Sequence, residues 1–146
     1  MGDPMSKLMI QFRFILCFVF VIFSAGSFAN ETKPVLYFIE PVDGAVVEGD
    51  VKVVFGLKGL GVAPAGINNP KTGHHHLLID TTDLPDMSLP LPATDKVKHF
   101  GGGQTETVIS LSPGTHTLQL LLGNYAHIPH AEPVISNRIT ITVKLR

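Results

Sequence analysis

The chain has one cysteine and no tryptophan. Cys17 lies in a run of ten apolar residues, Phe14 to Phe23, close to the N-terminus. Beyond it there is no thiol. A domain built from Asn30 onward therefore has no disulfide, no thiolate metal site, no blue-copper centre and no cysteine nucleophile. Aromatic residues are also scarce there: Tyr37, Phe38, Phe55, Phe100 and Tyr125. Carbohydrate modules need aromatic platforms, so that role is disfavoured. Charge of one sign is lacking as well. Residues 30–146 hold nine Lys/Arg against eleven Asp/Glu, a formal charge of −2. Nucleic-acid binding calls for a basic stripe and is excluded as a partner class.

What the N-terminus does have is an export signal. Lys7 and Arg13 put positive charge ahead of the apolar run, and Ser24-Ala25-Gly26-Ser27-Phe28-Ala29 supplies small residues in a Ser-x-Ala pattern. Residues 1–29 read as a secretory signal peptide cleaved after Ala29. A membrane anchor would need about 20 apolar residues, so no membrane insertion is expected after leader removal. Residues 30–146 then form a single periplasmic or secreted domain.

That domain reads as short strands punctuated by Gly, Pro and Asp. Val35 to Ile39 is a β-rich apolar run, closed by the turn Pro41-Val42-Asp43-Gly44. Val51, Val53, Phe55 and Leu57 alternate, as do His116, Leu118, Leu120 and Leu122, and then Ile139, Ile141, Val143 and Leu145. Gln104 to Leu111 forms a further strand. Residues 58–72 and 123–133 read as loops, and 81–100, with Pro85, Pro90 and Pro92, shows no clear period. No amphipathic helix and no internal repeat is present. Six or seven such strands predict an all-β, immunoglobulin-like antiparallel β-sandwich, with a small β-barrel as the alternative.

The seven histidines all lie between positions 74 and 130. His74, His75 and His76 begin the apolar strand that runs to Asp80. Residues two apart on a strand share a face, about 6.7 Å apart at Cα, so His74 and His76 can aim at one ion. Metal–imidazole bonds are about 2.0 Å long. Further ligands must come from other segments. His127 and His130 occupy one loop, stiffened by Pro129, and His99 stands beside Phe100 and three glycines. These five, His74, His76, His99, His127 and His130, are the candidate metal ligands. The plainer reading of any one histidine is a surface or hydrogen-bonded core residue. It fits His75 and His116, which share a face with core-type residues. An affinity tag is a poor account of an internal run of three.

Neutral imidazoles suit divalent transition metals, and the Irving–Williams order favours a copper ion, with a zinc ion second. Catalysis is not expected. Asp80, Asp83 and Glu106 could serve a metallohydrolase as bases, but none stands in a His-Glu-x-x-His or comparable signature.

Several segments carry a resemblance. They are Gly59-Leu60-Gly61-Val62-Ala63-Pro64-Ala65-Gly66, Thr72-Gly73-His74-His75-His76-Leu77-Leu78-Ile79-Asp80, Phe100 to Thr107, Pro113 to Leu120, and His127-Ile128-Pro129-His130 with Pro133. Together they resemble the bacterial exported domains classed as domain of unknown function DUF4399. The resemblance implies a periplasmic or surface β-rich domain, with His127 and His130 matching its His-x-Pro-His segment. It brings no catalytic residues. The expected function is metal binding as a chaperone, buffer or sensor. The alternative is a non-catalytic envelope module whose loop 81–100 meets a protein partner.

Overall fold

The computed structural model describes residues 33–146. The expected signal peptide, 1–29, lies outside the described residues. Nine strands follow in order: β1 (Val35–Glu40), β2 (Val46–Glu48), β3 (Val51–Lys58), β4 (Gly61–Val62), β5 (Thr72–Ile79), β6 (Val97–His99), β7 (Glu106–Ile109), β8 (Gly114–Gly123) and β9 (Ile139–Lys144). The described residues contain no helix, and so none that could cross a membrane. β1, β3 and β7 make a three-stranded sheet. The larger sheet runs β2-β9-β8-β5-β4, with β6 also on β5.

The fold is a β-sandwich, as the alternation predicts. Between its sheets lie Leu36, Val51, Val53 and Phe55 from one side and Leu77, Ile79, Leu118, Leu120, Leu122, Ile141 and Val143 from the other. Two details differ from the expectation. β2 joins β9 and β4 joins β5 in parallel, so the larger sheet is not purely antiparallel. Strands β2, β4 and β6 were too short, at two or three residues, to show a period.

β5, and β8 from Leu120 onward, are buried on both faces. The inner face meets the main core. The outer face of the larger sheet is covered by segments 81–96 and 124–137, where Leu78, Leu91, Val97 and Leu121 form a second apolar cluster with Met87 and Ile135 against it. Segment 81–96 thus turns Leu91 inward. Its backbone is tied to the second covering segment where Leu91 N donates to His127 O at 2.9 Å. A buried strand covered on both faces explains why Leu77-Leu78-Ile79 and Leu120-Leu121-Leu122 are continuous apolar runs.

Candidate metal site

The period of two in β5 divides its three histidines. His75 points into the core, its ring centroid 4.9 Å from that of Phe55, and its Nδ1 lies 3.2 Å from the Gln104 carbonyl oxygen. His74 and His76 point to the outer face, centroids 4.9 Å apart. β6 lies antiparallel to β5 with His99 directly opposite His76, and its ring comes to 5.1 Å from His76 and 5.0 Å from His74. His127 completes the group from its loop, 5.0 Å from His74 and 4.6 Å from His99. Its ring is 6.3 Å from that of His76.

Four imidazoles from three separate segments therefore face one another. His74, His99 and His127 each present a ring nitrogen within 4.8 Å of the others', a spacing that can hold a metal ion. His130 does not join them. It turns back to β5, with Nε2 3.1 Å from the Thr72 carbonyl oxygen. Pro129 and the backbone bridge between Gly123 and Pro129 set that direction, so the two ends of His-x-Pro-His serve different neighbours.

The inner pair is sealed from solvent and the outer pair is not. His74 and His76 are 0% exposed, and no ring nitrogen of either makes a well-formed hydrogen bond within the protein, the backbone of His74 being the one polar group that acts to raise the His76 pKa. Buried polar atoms are ordinarily paired, and an unpaired one costs about 1–3 kcal/mol. Each neutral ring has one lone-pair nitrogen and one N–H, so His74 and His76 together can offer a ligand two donor nitrogens; His75 Nε2 and His130 Nδ1 are likewise buried without a partner. Burial, together with the neighbouring imidazoles, pushes the His74 pKa down to about 4 and that of His76 to about 3. Burial lowers His99 as well, with His127 adding to the effect. These shifts favour the neutral form of His74, His76 and His99, the form that ligates metals.

Small residues make room for the rings. A side chain on Gly123 would place its Cβ 2.7 Å from His76 Cε1, and one on Gly101 would lie 2.5 Å from His99 Nε2. Neither glycine was expected as part of the site; Gly123 stood as the start of a loop. A glycine closing an apolar strand run is itself a signal of close approach. His127 adopts φ +66°, a left-handed conformation seldom taken by residues with a Cβ. Asn124 holds it there. Its Oδ1 accepts from Ala126 N at 2.8 Å and Ile128 N at 3.2 Å, and its carbonyl oxygen accepts from His127 N at 2.9 Å.

The carboxylates considered as bases have other partners; Asp83 Oδ2 accepts from Thr82 Oγ1 at 3.4 Å. Asp80 bonds His116 Nδ1 at 2.7 Å and Thr117 N at 2.8 Å. Glu106 faces Lys52 on the exposed side of the small sheet. His116 Nε2 reaches the Ser112 carbonyl oxygen at 2.7 Å.

The family model described as domain of unknown function (DUF4399) matches residues 53–144. The chain belongs to this family. The DUF4399 match spans β3 to β9 and contains all seven histidines. No curated protein matches the chain. Among solved structures, the endo-β-1,4-mannanase from Thermotoga petrophila superposes with a TM-score of 0.50 at 15% identity, covering 81% of this chain and 21% of that one. The chain thus spans about a fifth of the mannanase, and the likeness is one of fold. The fibronectin(III)-like modules of Clostridium thermocellum CbhA align at 11% identity and a TM-score of 0.40, over 78% of this chain and 47% of theirs.

Proposed function

We propose that this DUF4399 domain binds a transition-metal ion, copper before zinc, through His74, His76, His99 and His127. In this reading it is exported to the periplasm or cell exterior and acts without catalysis as a metal chaperone, buffer or sensor. The observation that carries the proposal is the convergence of four imidazoles from β5, β6 and the loop after β8, the inner two buried with no well-formed hydrogen bond at their ring nitrogens. All-imidazole donors suit copper and zinc among biological metals. The partly open outer pair leaves a way in for the ion.

Calorimetric titration of copper and zinc salts into purified, untagged protein tests this. Wild type should bind one equivalent, and a His74→Ala/His76→Ala variant should lose at least a hundredfold in affinity. Equal, weak binding by both would remove the proposal. Elemental analysis of protein taken directly from the periplasm tests the location and the metal together.

A second reading, an envelope module that meets a protein partner through segment 81–96, draws on the exposure of Leu84 and Leu89. Leu91 and Val97 are already committed to the sheet. Co-purification lost on Leu84→Ser/Leu89→Ser, with metal binding intact, would favour it.

A further inference from the structure

The surroundings of the rings bear on the charge of the ion they hold. In most imidazole sites for divalent metals, the ring nitrogen not on the metal donates to a carboxylate or carbonyl. That contact strengthens the donor and brings negative charge close to the ion. His74 has no such acceptor at either nitrogen, and His76 has only the backbone of His74 nearby, in no well-formed hydrogen bond. Only histidines make up the converging group of ligand atoms among the described residues. Asp80 is held by His116, and Asp95 is exposed beside Lys98. On the same face of the sheet, Leu78 follows His76 in β5 and Leu121 pairs with His76 across β8; both are fully buried in the apolar cluster.

An ion held there lies against this apolar cluster on the His74 side while His99 is exposed and His127 half-buried, and the part of its hydration that it gives up carries a cost that rises with the square of its charge. A dication is penalised about four times as heavily as a monocation of the same size, and a set of imidazoles with no carboxylate among them offsets none of that charge. Copper is the metal of this class with an accessible monovalent state. Donor softness alone would favour its divalent form at imidazole nitrogens, but the missing negative charge works in the opposite direction and weighs far more on the dication than on the monocation. From this environment we infer that the histidine pocket holds copper as Cu(I) in preference to Cu(II) or Zn(II), a conclusion that rests on the metal-binding reading above.

The test compares dissociation constants of metal-free protein for the three ions, using competing chelators, with Cu(I) handled under nitrogen. Cu(I) should bind at least tenfold tighter than Cu(II). By linkage, the bound couple then sits at least about 59 mV above that of free copper. His99→Asp supplies the missing charge at the exposed rim, where substitution spares the core. It should shift the Cu(II)-to-Cu(I) affinity ratio at least tenfold toward the divalent ion. Cu(II) binding as tightly as Cu(I) in wild type, or an unchanged ratio in His99→Asp, would overturn the inference while leaving metal binding standing. Failure of all three ions to bind would remove both.

Discussion

The absence of one methylene-sized group decides whether His76 fits. A Cβ on Gly123 would meet the His76 ring and come within 3.4 Å of the His127 backbone, so Gly123→Ala should push that ring out of the group. We expect metal affinity to fall at least tenfold with far-UV circular dichroism unchanged, measured by chelator competition. A second pair of residues works in the opposite electrostatic sense. Both nitrogens of His116 lie 2.7 Å from oxygens that only accept, the Asp80 carboxylate and the Ser112 carbonyl, so the ring serves both as an imidazolium. The bond to Asp80 raises the His116 pKa, and that to Ser112 adds to it. Its contribution to stability is complete below pH 6.5 and is lost as pH rises through the elevated value. His116→Gln should cost about 1–2 kcal/mol at pH 6, toward the low end for a charged hydrogen bond because Asp80 is partly open to solvent. The cost should shrink by pH 9, as denaturant midpoints at the two values would show.

Strands differ in what they contribute, and alternation reveals most of it. Leu120 in β8 is fully buried between the sheets, and Leu120→Ala should cost about 2–5 kcal/mol by equilibrium unfolding. Val108 in β7 faces solvent, and Val108→Thr should fall within about 0.5 kcal/mol of wild type. The sandwich core was legible because Leu118, Leu120 and Leu122, like Val51, Val53 and Phe55, keep strict period two. The pairing of His74 with His76 was legible for the same reason. His99 stood among the candidates, but its place opposite His76 was not legible, because β6 is three residues long and that place is set by a long-range pairing. The role of Gly123 was masked by its position at a strand end. His127 and His130 looked equivalent in sequence, yet the left-handed backbone at His127 and the bond from His130 to Thr72 separate them.

At the scale of the whole molecule, the buried histidines make the metal-free protein sensitive to acid. Above pH 6.5 folded and unfolded chains both keep these rings neutral. Below it the unfolded chain takes up protons that the folded one refuses until pH falls to about 4 at His74 and about 3 at His76, so stability declines across that window. Urea midpoints should drop between pH 7.5 and 5, and His74→Leu/His76→Leu should flatten the decline. An ion that binds only the folded form should restore about 4 kcal/mol when present at a thousand times its dissociation constant.

The ligands are also divided along the chain. His74 and His76 belong to the stretch ending with β5, while His99 and His127 come after the proline-bearing segment that leads to β6. A cut in the exposed part of that segment, near Leu84 or Leu89, leaves two polypeptides, each holding half of a coordination sphere. For such a split protein the ion would act as an assembly factor: reunion of the fragments, followed by a fluorophore on each, should strengthen with copper and reverse with a chelator.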